Sequence, residues 1–140
     1  MKALTIHQPW ASLIAHGWKS VEFRSWPAPN RMIGQRIVIH AGKHPAKRGV
    51  QELLAADDAG LIASIGPSSP DRLATVRGFL EAAADRGYAM RLSCGLGTAM
   101  LGNMLEPSTC AHNWGWPLLQ VERWDEPVPA RGAQGFWEWT

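Results

Sequence analysis

The eight tryptophans of this 140-residue chain lie in two groups. Trp10, Trp18 and Trp26 stand near the start, and Trp114, Trp116, Trp124, Trp137 and Trp139 near the end, with none between residues 27 and 113. Most are expected in the core or half-buried, because an indole ring is large and its N–H needs an acceptor. The middle has a different character. "AKRGVQELLAADDAGLIA" (46–63) and "DRLATVRGFLEAAADR" (71–86) are rich in Ala and Leu and read as helices, with "GPSSP" (66–70) breaking them apart. Asp71 is the expected N-cap of the second, and Gly87 its stop. Residues 46–90 therefore read as a helical insertion between strands.

The flanking segments are short. "KALTI" (2–6) reads as a strand and "QPWASLIAHG" (8–17) as a helix, with Pro9 in its first turn and Gly17 as its C-terminal cap. Trp10, Leu13 and Ile14 then share one face of that helix and point to the core. "SVEFR" (20–24) alternates as a strand does, "WPAPNRMIGQ" (26–35) reads as a loop, and "RIVIHA" (36–41) as a buried strand. Strands are also expected at 97–107 and 116–127, with a turn and a short final strand in 128–139. One early helix, short strands and a helical insertion indicate one α+β domain built on a small β-barrel, not a doubly wound sheet.

Net charge is only +2, but it is unevenly distributed. Residues 1–48 hold eight basic residues against one acid, a net of +7, and residues 49–140 hold six against eleven, a net of −5. A basic half points to a polyanionic partner such as nucleic acid. No apolar run reaches the ~18–20 residues that span a bilayer, and the N-terminus lacks a signal-peptide pattern. The expected setting is the cytoplasm, away from membranes. Cys94 and Cys110 are then expected as thiols. No His/Cys spacing matches a metal site and "SCGLGTAMLG" is not a dinucleotide fingerprint, so no metal or cofactor is expected.

The densest chemistry lies in "GWKSVEFRSW" (17–26), which sets Lys19, Glu22 and Arg24 between Trp18 and Trp26. Strand alternation places Glu22 and Arg24 on one side and Val21 and Phe23 on the other. Lys19 and Arg24 are expected to neutralise phosphates, and Trp18 or Trp26 to stack on a base. Glu22 either pairs with one of the cations or accepts from a base's amino group. A purely structural Glu22–Arg24 ion pair is the alternative. Lys43, Lys47 and Arg48 would add a phosphate-contacting rim. Gln8, Trp10 and Ser12 lie at the start of the first helix, where an anion is favoured. Arg131 and Gln134, in the Gly-containing "PARGAQG", are placed to reach a bound base.

The opening "TIHQPWASLIAHG" (5–17), followed by the G-x-K-x-x-E-x-R signature of Gly17, Lys19, Glu22 and Arg24, resembles the ASCH (activating signal cointegrator homology) domain family. The closing "VPARGAQGFWEW" is similar to the C-terminal end of bacterial and phage members. The resemblance covers about 2–43 and 97–139 and implies a PUA-like fold, a small β-barrel with flanking helices and a cleft lined by the signature. It further implies binding of nucleic acid, RNA ahead of DNA, with a free nucleoside as a further option. The alternative it carries is a hydrolase acting on RNA or on a modified nucleoside, with Lys19 and Glu22 as acid and base. In ASCH-related acetylcytidine amidohydrolases a Lys and a Thr of the signature strand act with a distant Glu. Lys19 matches that Lys, but Glu22 stands where the Thr would be.

Overall fold

The computed structural model describes residues 1–110 and 112–140. Six strands and four helices follow in the order β1 (Lys2–Ile6), α1 (Trp10–Ala15), β2 (Val21–Arg24), β3 (Arg36–Ala41), α2 (Lys47–Ala55), α3 (Asp58–Ile65), α4 (Pro70–Asp85), β4 (Cys94–Leu101), β5 (Trp114–Pro129) and β6 (Phe136–Glu138). The strands form one sheet in the order β2-β5-β4-β3-β1-β6. Its β1–β3 pair is parallel and its other neighbours are antiparallel.

The sheet curls into a half-barrel. Three strands separate β5 from β6, yet Trp116 of β5 stacks on Phe136 of β6 with ring centroids 5.7 Å apart. Arg24, on the edge strand β2, likewise donates to the Thr5 carbonyl of β1 at 3.1 Å. Bulges in β3–β4 and β4–β5 add the local bend that this closure needs. At Gly97 a Cβ would lie 2.3 Å from the Glu122 carbonyl oxygen, so only glycine lets β4 and β5 approach this closely. This is the expected α+β class, a small barrel with flanking helices.

Helix α1 lies between two apolar cores. Ile14 belongs to the barrel core with Leu4, Ile37, Ile39, Leu101 and Trp116. Leu13 belongs to a second core with Val50, Leu61, Ile65, Val76 and Leu80 of the three inserted helices, and Trp10 packs against both. The helix ends as the sequence indicates. Gly17 has φ +78°, its N–H donates to the Ile14 carbonyl, and the Trp18 N–H donates to Leu13, which satisfies the last carbonyls of the helix.

Several boundaries differ from the sequence reading. Residues 46–63 form two helices, because Asp57 starts α3 by accepting from the Gly60 N–H at 2.8 Å. The N-cap of α4 is Ser69, which accepts from the Arg72 N–H. Pro70 takes the first helical position, leaving Asp71 in the first turn. The strand expected at 97–107 is Cys94–Leu101, with a single bridge from Leu105 to Gly115 beyond it. The strand expected at 116–127 is longer, Trp114–Pro129. The 26–35 loop contains one 3-10 turn, Asn30–Met32. Among the described residues no helix is long and apolar enough to cross a membrane.

Candidate functional site

The signature folds into a layered charge cluster at the β2 edge. Lys19 leaves the α1 cap just before β2 and turns inward, and the residue is 2% exposed. Its ammonium donates to the Ser64 carbonyl of α3, lies 3.6 Å from Glu22 Oε1, and sits 4.9 Å from the centre of the Phe23 ring. Burial pushes the Lys19 pKa down to about 8, against the upward pull of the Glu22 carboxylate. Desolvation therefore outweighs the ion pair at this position.

Glu22 is also buried, and both of its oxygens are engaged. Oε1 faces Lys19 and accepts from the Phe23 N–H at 3.3 Å; Oε2 accepts from Arg24 Nε at 3.3 Å and Nη2 at 3.1 Å. The alternation that set Glu22 and Arg24 on one side of the strand thus becomes a two-pronged ion pair. Arg24 is half-buried. Its Nη2 also reaches the Thr5 carbonyl, and its guanidinium lies 5.7 Å from the centre of the Trp116 ring. Among the described residues its Nη1 has no partner.

Trp26 flanks this cluster. It is 40% exposed, meets Trp116 edge-on at 4.8 Å, and its carbonyl accepts the Trp116 indole N–H. Trp18 lies elsewhere, stacked on His16 at 4.4 Å and edge-on to Phe79 of α4. Of the two rings expected near a base, only Trp26 packs on Trp116, the ring that Arg24 also lies over.

A cleft of about 540 Å³ opens where β1 leads into α1. Its walls include His7, Trp10, His44, Lys47 and Arg48. His7 meets His44 edge-on at 4.7 Å, and its pKa is lowered by burial, with His44 and Arg24 pushing the same way and Glu22 opposing. The signature cluster and this cleft therefore share one electrostatic environment. Lys43, Lys47 and Arg48 are all exposed, and Lys47 and Arg48 line the cleft; Lys47 lies 5.7 Å from the Tyr88 ring centre and Arg48 pairs loosely with Glu52.

The remaining expected residues divide. Gln8 is buried and is fully used within the fold, donating to Ser12 Oγ and the Arg91 carbonyl and accepting from the Ser12 N–H. Trp10 lines the cleft and donates its indole N–H to Ser64. Ser12 faces away from that cleft, into a larger one on the other side of α1. Arg131 and Gln134 are exposed on the turn before β6, and Gly132 between them packs against Thr5 and His40.

His40 is held in a buried hydrogen-bond chain. Trp137 Nε1 donates to Thr5 Oγ1, Thr5 Oγ1 lies 3.1 Å from His40 Nδ1, and His40 Nε2 lies 2.7 Å from the Ala130 carbonyl. A carbonyl can only accept, so His40 Nε2 carries a proton and donates to Ala130, while Nδ1 is bonded to the Thr5 hydroxyl. This chain fastens the 130–137 segment beside the carbonyl that Arg24 binds. Among the described residues no three His, Cys, Asp or Glu side chains are grouped as metal ligands.

Residues 4–85 match the family model of the ASCH domain. The match takes in α1, the whole signature and helices α2–α4, so the helical middle lies inside the matched region. The chain is also 48% identical over 52 residues to activating signal cointegrator 1 of Mus musculus and 46% identical over 52 residues to that of Homo sapiens. Each alignment spans 37% of this chain and 9% of the relative. With more than half of its length matched by the family model, the chain belongs to the ASCH domain family.

Proposed function

We propose that this ASCH domain binds nucleic acid, single-stranded RNA ahead of DNA, along the cleft between the signature and the 43–48 loop. The observation that carries this reading is the unpartnered Nη1 of Arg24. The guanidinium is fixed by Glu22 and the Thr5 carbonyl, rests on Trp116, and still has two N–H groups free beside the exposed Trp26 ring. A planar cation next to an aromatic face suits a phosphate oxygen or base acceptor with the base stacked alongside. Lys43, Lys47 and Arg48 supply the electrostatic rim, and Arg131 and Gln134, exposed on the C-terminal turn, are the further residues assigned to the bound strand. Lys19 and Glu22 act from behind, as the support that holds Arg24.

Fluorescence anisotropy of an end-labelled single-stranded RNA, with a DNA of the same sequence, tests this at two salt concentrations. Arg24→Ala is expected to weaken binding and to lower the salt slope by about 0.7 if it removes one phosphate contact. Unchanged affinity and slope in Arg24→Ala and in Lys47→Ala/Arg48→Ala would remove this cleft from the binding surface.

A second reading, hydrolysis of RNA or a modified nucleoside, draws on one observation: the Lys19 pKa of about 8 beside a carboxylate, a combination suited to proton transfer near neutral pH. A denaturing gel of the same samples checks it. Shortened RNA with the native chain and intact RNA with Glu22→Gln is the signature of this chemistry, and uncut RNA with the native chain excludes ribonuclease action.

A further inference from the structure

A second cleft, larger than the one beside His7, lies on the other side of α1 and uses none of the signature residues. It has a volume of about 640 Å³, within the usual range of small-molecule sites. Arg86 and Arg91, from the segment after α4, and Arg123, from β5, line it together with His16, Phe79 and Trp124. Among the described residues none of the three arginines pairs with a carboxylate, whereas Arg24, Arg48 and Arg77 all do. Asp125 is the one acid on the wall.

The site has a built element. Arg123 Nη1 lies 2.7 Å from His16 Nδ1. A guanidinium only donates, so the imidazole must accept and is therefore neutral there. Burial and then Arg123 both lower the His16 pKa, in keeping with that direction of donation. His16 in turn is stacked on Trp18 with ring planes 9° apart. Arg123 is thus held in place by a neutral acceptor, which leaves its positive charge uncompensated. Trp124 is backed by Trp139 at 5.5 Å and seated over Gly95, where a Cβ would come within 2.7 Å of the ring.

We propose that this cleft is a second nucleotide site, taking a phosphate on Arg86, Arg91 and Arg123 and the attached base against Trp124 or Phe79. Three guanidinium groups outweigh the lone Asp125 and favour a phosphate. The aromatic walls favour a planar base over a bare anion. Asp125 can accept from an exocyclic amino group of that base. The shared chemistry is a phosphate-bearing nucleobase, whether free or within a strand. This goes beyond the signature cleft and does not depend on it.

The test is NMR of the full chain, following the Trp124 indole N–H and the arginine Nε–H signals. The chain is titrated with adenosine monophosphate, inorganic phosphate and a single-stranded RNA. Movement of Trp124 with the mononucleotide, abolished in Arg86→Ala/Arg91→Ala/Arg123→Ala, supports a site for free nucleotides. Movement with the RNA alone, with a salt slope reduced by about 2 in that variant, supports a strand-binding groove. Arginine shifts with phosphate while Trp124 stays still under both other ligands reveal a bare anion site and overturn the proposal, as does no shift with any ligand. The Trp26 indole signal reports the Arg24–Trp116 cluster separately, so failure of one site is read apart from failure of the other. The three arginines are exposed, and an unchanged Tm in the triple variant confirms that the loss is of binding.

Discussion

The Lys19 ammonium and the Glu22 carboxylate lie 3.6 Å apart, and both are buried. The pair is anchored at both ends, by the Ser64 carbonyl on the lysine side and by Arg24 on the glutamate side. It links the inserted helix α3 to the edge of the barrel.

Because desolvation dominates, the folded Lys19 pKa lies at about 8, below the ordinary lysine value. Between those values the unfolded chain binds more protons than the folded one, so this residue's contribution to stability rises with pH across that window. The full change corresponds to roughly 3 kcal/mol. The Lys19 Cε resonance is expected to titrate with a midpoint near pH 8. The ordinary lysine midpoint of about 10.4 would show that the ammonium is well hydrated.

Arg24 joins the edge strand β2 to β1, the strand next to the opposite edge, and so fastens the curl of the sheet. Arg24→Lys keeps the charge but loses the fork that serves Glu22 and Thr5 together. Stability is expected to fall by about 1–3 kcal/mol, read as a lower urea midpoint, while the salt slope of RNA binding stays near that of the native chain. An unchanged midpoint would mean that Arg24 is not part of the closure.

Local features of the signature were legible, and its depth was not. Strand alternation put Glu22 and Arg24 side by side, and Gly17 marked the end of α1, because both depend on neighbours a few residues away. The burial of Lys19 depends on a carbonyl 45 residues later, which no local pattern encodes. Charge counting along the chain pointed to residues 1–48. Arg86, Arg91 and Arg123 were hidden because they share a segment with eleven acids, of which only Asp125 lines the cleft with them. The bond between Gln8 and Ser12, both read as ligand contacts, follows from their i, i+4 spacing but was not foreseen.

The two thiols differ in access. Cys94 is buried in β4 and its pKa is raised by that burial, with Arg91 opposing; Cys110 is partly exposed. An aromatic disulfide reagent is expected to modify one thiol per native chain rapidly, at Cys110, and the second only on unfolding. Rapid modification of both would mean that the barrel core opens readily at β4.

Two helical glycines make opposite predictions for the same substitution. In a helix interior Ala is favoured over Gly by about 0.8–1.0 kcal/mol. Gly78 lies on the exposed side of α4 with nothing within 4 Å of an added Cβ, so Gly78→Ala is expected to stabilise the fold by close to that amount. Gly49 lies where α2 crosses α1, and its Cβ would fall 2.6 Å from Pro9 Cδ and 2.7 Å from the Trp10 ring. Both obstacles are rigid rings that cannot move aside cheaply. The overpacking cost of about 1–3 kcal/mol therefore exceeds the propensity gain, and Gly49→Ala is expected to lower Tm. Because Trp10 also lines the cleft between His7 and Lys47, the same change should weaken RNA binding, whereas Gly78→Ala should leave it unaltered. A raised Tm in Gly49→Ala would show that α2 can slide away from α1, and that the cleft wall between them is softer than the packing indicates.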